Sequence, residues 1–273
     1  MNRTKCSMIH HVITMVAVSA LTSCSSFISV NTPNQNDRVR TIVLHYTAVD
    51  EATTFALFMN PKKEVSAHFV ITEDKIYQLA DLNRRTYHAG ISYWKNRSSL
   101  NDTSIGIELV QQVACSKSNK QVCAFPDFTP NLINNLTTVL DYIYQQYPNI
   151  QPQHIIGHQD INPHRKLDPG PRFPWQYLNT IGYGAWYNNQ DYFDEYTQLN
   201  NHTLNTDIFY QALILYGYKP SQPTTDMINA FQSHFTPTLI TGKTNRNSLA
   251  VILALLKKYQ INDYNRIKKS LTK

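Results

Sequence analysis

Two histidines and an aspartate carry the strongest chemical suggestion in this chain. His45 ends the strand-like run TIVLHY (41–46), His158 follows the run 154–157, and Asp168 stands ten residues further on, inside Lys166-Leu-Asp-Pro-Gly-Pro171. Two imidazoles and a carboxylate suit a zinc ion, and three protein ligands leave the fourth tetrahedral position open to water, as hydrolysis requires. Residue type and spacing leave other readings open. Among ten histidines, a strand-end imidazole is also a common hydrogen-bonded structural group. Asp160 and His164 flank His158 as rival ligands, or as residues of a loop or a substrate rim. Glu108 lies in an alternating run in which Ile105, Ile107 and Leu109 oppose Gly106 and Glu108, so it faces either a site or solvent. Lys166 could be a solvated loop charge, and His68 and His88 could support a ligand or touch a substrate.

Such groups act only if rigid elements hold them. Short runs rich in β-branched residues predict strands at 41–46, 67–72, 76–79, 104–110 and 154–157, with Asp74-Lys75 as a turn between two of them. Helices alternate with these strands. Asp50 can cap a helix over 51–59, and Pro130 can open a longer one in which Leu132, Leu136, Val139, Leu140 and Ile143 recur at helical spacing before Pro148. The first long part of the chain therefore reads as α/β, a mixed sheet with helices.

The remainder reads differently. Three helical segments are predicted at about 206–216, 224–235 and 246–258, broken by Gly217, Pro220 and Gly242. Residues 201–273 hold nine basic and three acidic residues, a net charge of +6, whereas residues 24–200 hold 14 basic and 16 acidic, or −2. That shift, at a polar stretch near 197–202, suggests a domain boundary. At the other end, Arg3 and Lys5 precede the apolar run VITMVAVSAL (12–21) and then Leu21-Thr-Ser-Cys24, the layout of a secretory leader. Leu-Thr-Ser-Cys resembles a bacterial lipobox, which implies cleavage before Cys24 and its lipidation. Residues 1–23 are then a signal peptide and 24–39 a tether. Outside the cytoplasm, Cys115 and Cys123 are left as a pair in an oxidising compartment, suited to a disulfide or to two free thiols.

Composition excludes other classes. A net charge of +6 is modest for 273 residues, so nucleic acid is not implied. With 8 glycines and neither GxGxxG nor GxxxxGK[ST], no nucleotide site is expected.

Together, TIVLHYTA (41–48), SAHF (66–69), YHAG (87–90), LNDTSIGIEL (100–109) and GHQDINPHRKLDPGPRFPW (157–175) resemble the zinc-dependent N-acetylmuramoyl-L-alanine amidases. This family is related in fold to phage lysozyme-type amidases and animal peptidoglycan-recognition proteins. The resemblance implies a mixed central β-sheet flanked by helices over 40–187, followed by a small three-helix, peptidoglycan-binding-like domain over 203–273. It implies one Zn2+ per chain on His45, His158 and Asp168, Glu108 as catalytic acid/base, and Lys166 at the oxyanion-stabilising position. It further places His88, Ala89 and Gly90 on the border of the substrate groove. The implied substrate is the amide between N-acetylmuramic acid and the L-alanine of peptidoglycan stem peptides. The implied location is the bacterial outer membrane, facing the periplasm and reached through the lipid on Cys24. The alternative is a non-catalytic peptidoglycan-binding lipoprotein of the same fold. The segment 111–125, with Cys115 and Cys123, departs from the resemblance.

Overall fold

The computed structural model describes residues 28–116, 123–201 and 203–271, so the leader (1–23) and Cys24 lie outside the described residues. Residues 28–36 carry no helix or strand, and Asp37–Lys273 forms one compact unit. In chain order the elements are β1 (Thr41–Ala48), α1 (Glu51–Phe58), β2 (Phe69–Ile71), β3 (Ile76–Gln78), β4 (Tyr93–Trp94), β5 (Arg97–Ser98), β6 (Ser104–Gln112), β7 (Ala114–Cys115) and β8 (Cys123–Ala124). There follow α2 (Pro130–Gln146), β9 (Ile155–Gly157), α3 (His158–Ile161), α4 (Trp175–Thr180) and α5 (Asn189–Gln198). The tail adds α6 (Thr206–Tyr216), α7 (Thr224–Phe235), α8 (Arg246–Tyr259) and α9 (Ile261–Leu271).

A five-stranded sheet in the order β3-β2-β6-β1-β9 forms the centre. Only β2 and β3 pair antiparallel in it, so the sheet is mixed, as expected. Thr41 to His45 of β1 are all buried, which is the pattern of a parallel strand covered on both faces. Helix α2 lays Leu132, Leu136, Val139, Leu140 and Ile143 into the core, with Thr129 Oγ1 accepting from Leu132 N as its cap. Asp50 caps α1 in the same way, through Thr53 N at 2.8 Å.

The tail holds four helices among the described residues, one more than the three expected. In α9 the positions Tyr264, Ile267 and Lys268 make one inward stripe: Ile267 is buried, and Tyr264 Oη and Lys268 Nζ donate to buried Glu195 of α5 at 2.6 and 2.9 Å. Residues 248–256 of α8 are buried on every side, which makes α8 a core helix. The packing shows no break near residue 200. Trp94 sits edge-to-face on Tyr216 and Tyr218, and Trp186 lies against Phe235, so one core runs through both parts.

Candidate active site

Strand register brings the first two groups together. His45 on β1 is directly opposite Glu108 on β6, and in-register neighbours of a pleated sheet share a face. β9 pairs with β1 on its other edge and hands the chain directly to His158, the first residue of α3. Asp168 returns from the following loop, tied to α3 by the bond from Gln159 N to its carbonyl at 2.8 Å. The Gly157 position admits this return, because a Cβ there would lie 2.6 Å from Pro169 Cδ. His45 Nδ1, His158 Nδ1 and Asp168 Oδ2 then converge, with separations of 2.9, 3.0 and 3.0 Å. All three residues are buried.

A chain of hydrogen bonds fixes what these atoms present. Ser104 Oγ donates to Leu100 O at 2.5 Å and therefore accepts from His88 Nε2 at 3.1 Å. His88 Nδ1 is left as an acceptor and takes the proton of His45 Nε2 at 3.0 Å. His45 Nδ1 consequently turns a lone pair toward the Asp168 carboxylate, and two lone pairs at 3.0 Å call for a cation between them. The donor set of two imidazoles and one carboxylate fits a metal ion, and these three residues form a group close enough to hold one.

Electrostatics agree. Burial opposes the charge on Asp168, but the His158 and His45 imidazoles against its carboxylate outweigh that and hold the carboxyl well below the usual carboxylate range. Burial, reinforced by His158, lowers His45 to about 4, against the pull of Asp168. Glu108 goes the other way. Its Oε2 is buried without a partner; desolvation and the nearby Asp168 raise its carboxyl well above normal, and Lys166 opposes the rise.

The groove over these residues has a volume of about 460 Å³ and is lined by Glu108, Tyr46, Arg165 and Lys166 as well as the three ligand candidates. It adjoins a second hollow of about 720 Å³ bordered by His88, Ala89, Gly90, Asn162 and Arg165. His88 thus lines both hollows, while its buried ring orients His45. Asp160 and His164 do not join the cluster. Asp160 is held by Gly157 N, Tyr218 Oη and His234 Nδ1, and His164 pairs with Asp226. His68 holds the strand junction: its Nδ1 accepts from Gly106 N at 3.0 Å. Cys115 and Cys123 are joined as a disulfide across the β7–β8 hairpin, and Cys115 reaches the groove wall.

Sequence reasoning did not single out Asn101, Ser104 or Gly106. Asn101 Oδ1 accepts from His88 N and Ala89 N at 3.1 and 2.8 Å, and a Cβ on Gly106 would come within 2.3 Å of the His88 ring. All three lie in the run LNDTSIGIEL, where a small residue between strand positions was the available signal.

Comparison with known proteins gives the same answer. The N-acetylmuramoyl-L-alanine amidase family (Amidase_2) matches residues 35–171. The amidase AmiD of Escherichia coli strain K12 is 37% identical over 236 residues, covering 81% of this chain and 84% of that protein. A solved structure of E. coli AmiD with anhydro-N-acetylmuramic acid-L-Ala-D-gamma-Glu-L-Lys is similar, with a TM-score of 0.77 and 36% identity over 84% of this chain and 93% of that one. AmpDh3 of Pseudomonas aeruginosa in complex with anhydromuramic pentapeptide is likewise similar, with a TM-score of 0.78 and 34% identity over 86% of this chain and 97% of that one. With the mixed sheet, the buried His-His-Asp cluster and these likenesses together, the chain belongs to the N-acetylmuramoyl-L-alanine amidase family.

Proposed function

We propose that this chain is a zinc-dependent hydrolase of the amide between N-acetylmuramic acid and L-alanine in peptidoglycan, acting in wall turnover from a lipid anchor at Cys24 on the periplasmic side of the outer membrane. The observation that carries the zinc reading is the convergence of His45 Nδ1, His158 Nδ1 and Asp168 Oδ2 within 3.0 Å beside an unpartnered Glu108 Oε2. The relatives solved with anhydro-muropeptides support the substrate class.

When bound, one Zn2+ on His45, His158 and Asp168 would lower the pKa of a coordinated water toward about 7 and polarise the amide carbonyl. Glu108 Oε2 accepts a proton from the attacking water and delivers it to the leaving amine nitrogen. Its raised pKa suits both halves of that exchange. The Lys166 ammonium stabilises the oxyanion as the carbonyl carbon becomes tetrahedral. His88 and Ser104 keep His45 in one tautomer throughout. The non-catalytic alternative would be expected to lack one of these groups, and His45, His158, Asp168, Glu108 and Lys166 all line one groove.

The test is mass spectrometry of muropeptides incubated with the chain from about residue 26 onward, with zinc and with a chelator in parallel. Free peptide beginning at L-alanine, lost under chelation and regained with zinc, is the expected result. Cleavage between two amino acids, or turnover indifferent to chelation, would overturn the reading.

A further inference from the structure

The loop that carries Lys166 and Asp168 is open on two sides. Lys166 and Leu167 line the groove of the metal-ligand cluster, and both also line a cavity of about 300 Å³ behind it. Such a loop holds a charge in place only if something braces it. Its first half is tied to α3, through Arg165 N and Lys166 N to Asn162 O at 3.1 and 3.0 Å. Asp168 O accepts from Gln159 N, but the turn beyond Asp168 needs a support of its own.

Phe125, directly after β8, stands at that turn. Gly170, two residues past Asp168, has a φ of +82° in the left-handed region, and a Cβ there would lie 2.8 Å from Phe125 Cδ1. The same ring packs against Tyr46, the residue after His45, with centroids 6.2 Å apart. One aromatic side chain therefore lies against the neighbour of one ligand candidate and the turn that follows another. Phe125 is braced in turn from both sides. Before it, the Cys115–Cys123 disulfide joins β7 to β8. After it, Gln111 Nε2 donates to Pro126 O and Asp127 O at 3.1 Å each, and Gln111 lies on β6, three residues past Glu108. Strands of two residues do not hold together alone, so the covalent link is what keeps these arms paired.

We propose that Phe125 is a positioning residue for the Lys166–Asp168 loop, and that the Cys115–Cys123 disulfide keeps it seated there. Phe125 does not line the groove. It acts by setting where the Lys166 ammonium and the Asp168 carboxylate stand. The role given to Lys166 rests on the amidase reading above.

The test compares Phe125→Ala, Phe125→Leu and the paired Cys115→Ser, Cys123→Ser variant with the unsubstituted soluble chain, each checked for native circular dichroism. Oxyanion stabilisation exists only in the transition state, so at saturating zinc Phe125→Ala lowers kcat by about 10–100-fold and leaves KM nearly unchanged. Zinc affinity, measured by chelator competition without substrate, falls by about 10–100-fold because the Asp168 turn loses its support. Phe125→Leu, which keeps an apolar side chain over Gly170, recovers most of both losses, and the double-serine variant moves both readouts in the direction of Phe125→Ala. A merely structural Phe125 would lower Tm and leave kcat and zinc affinity in place; that result in a folded Phe125→Ala variant overturns the proposal. Full activity and zinc affinity in the folded double-serine variant overturn the part given to the disulfide. If the unsubstituted chain releases no L-alanine peptide, the amidase reading fails and zinc affinity alone decides the positioning role; if turnover proves indifferent to zinc, the metal reading fails and kcat decides it.

Discussion

At the scale of single residues, Glu108 and Lys166 make a coupled pair whose pH behaviour is predictable. Glu108 must be ionised to accept a proton, and burial together with Asp168 raises its pKa, so activity falls on the acid side at a higher pH than an ordinary carboxylate of about 4.3 would give. Lys166 opposes that rise. Lys166→Met therefore moves the acid limb of kcat/KM to still higher pH, besides lowering kcat by about 10²–10³ as loss of an oxyanion donor does. An acid limb that stays in place would show that the ammonium does not reach Glu108. Glu108→Ala is expected to keep bound zinc and lose about 10²–10⁴ of turnover, whereas His158→Ala loses both, which metal analysis of the two purified variants checks. That His45, His158, Asp168 and Glu108 gather at one place was legible in the sequence because they sit in long, specific motifs. The role of His88 was only half legible. That it faces the groove could be suspected, but its part in fixing the His45 tautomer depends on Ser104 and on the space over Gly106, which are three-dimensional facts.

At the scale of elements, the short α3 is the part most dependent on its surroundings. Four residues form too short a helix to be stable alone, yet α3 begins with His158. Asp160 fastens it: Oδ1 accepts from Tyr218 Oη at 2.6 Å, and Oδ2 lies 2.9 Å from Gly157 N and 2.8 Å from His234 Nδ1. The His234 ring is itself stacked between Trp175 and Phe235. His234→Ala removes one partner of a buried carboxylate, a change worth about 1–3 kcal/mol of stability. Because α3 carries a ligand candidate, zinc affinity should fall as well, by about 10–100-fold, the usual effect of disturbing the support of a metal ligand. Chelator competition on the folded variant measures this, and lowered stability with unchanged affinity would confine Asp160 to a structural role. The sequence placed β1, β6, α1, α2 and α6 to α8 within a residue or two, since each has a clear period or cap. It missed α9, whose apolar positions are few and lie among lysines and asparagines, so that its inward stripe shows only once Glu195 is there to receive Tyr264 and Lys268.

At the scale of the whole molecule, the change in charge near residue 200 suggested two domains, but charge patterning describes surface and the core is continuous beneath it. Trp94, Trp175 and Trp186 all lie before residue 200, and each rests on a ring contributed from beyond it: Tyr216 and Tyr218, His234, and Phe235. Burying one large apolar side chain is worth about 1.5–3 kcal/mol. Stripping the cover from three tryptophans therefore costs several kcal/mol, against a total stability of about 5–15 kcal/mol for a typical domain. Asp160 would also lose Tyr218 and His234 and keep only Gly157 N as a partner. A chain ending near residue 200 is thus expected to aggregate or unfold, not to persist as a smaller amidase. The full chain should melt in one cooperative step seen equally by far-UV circular dichroism and by tryptophan fluorescence, the behaviour of a single folding unit. Two separated transitions, or a truncated chain that stays soluble with native tryptophan emission, would show that the shared core contributes less than its contacts imply, and the tail would then have to be treated as an independently folded module.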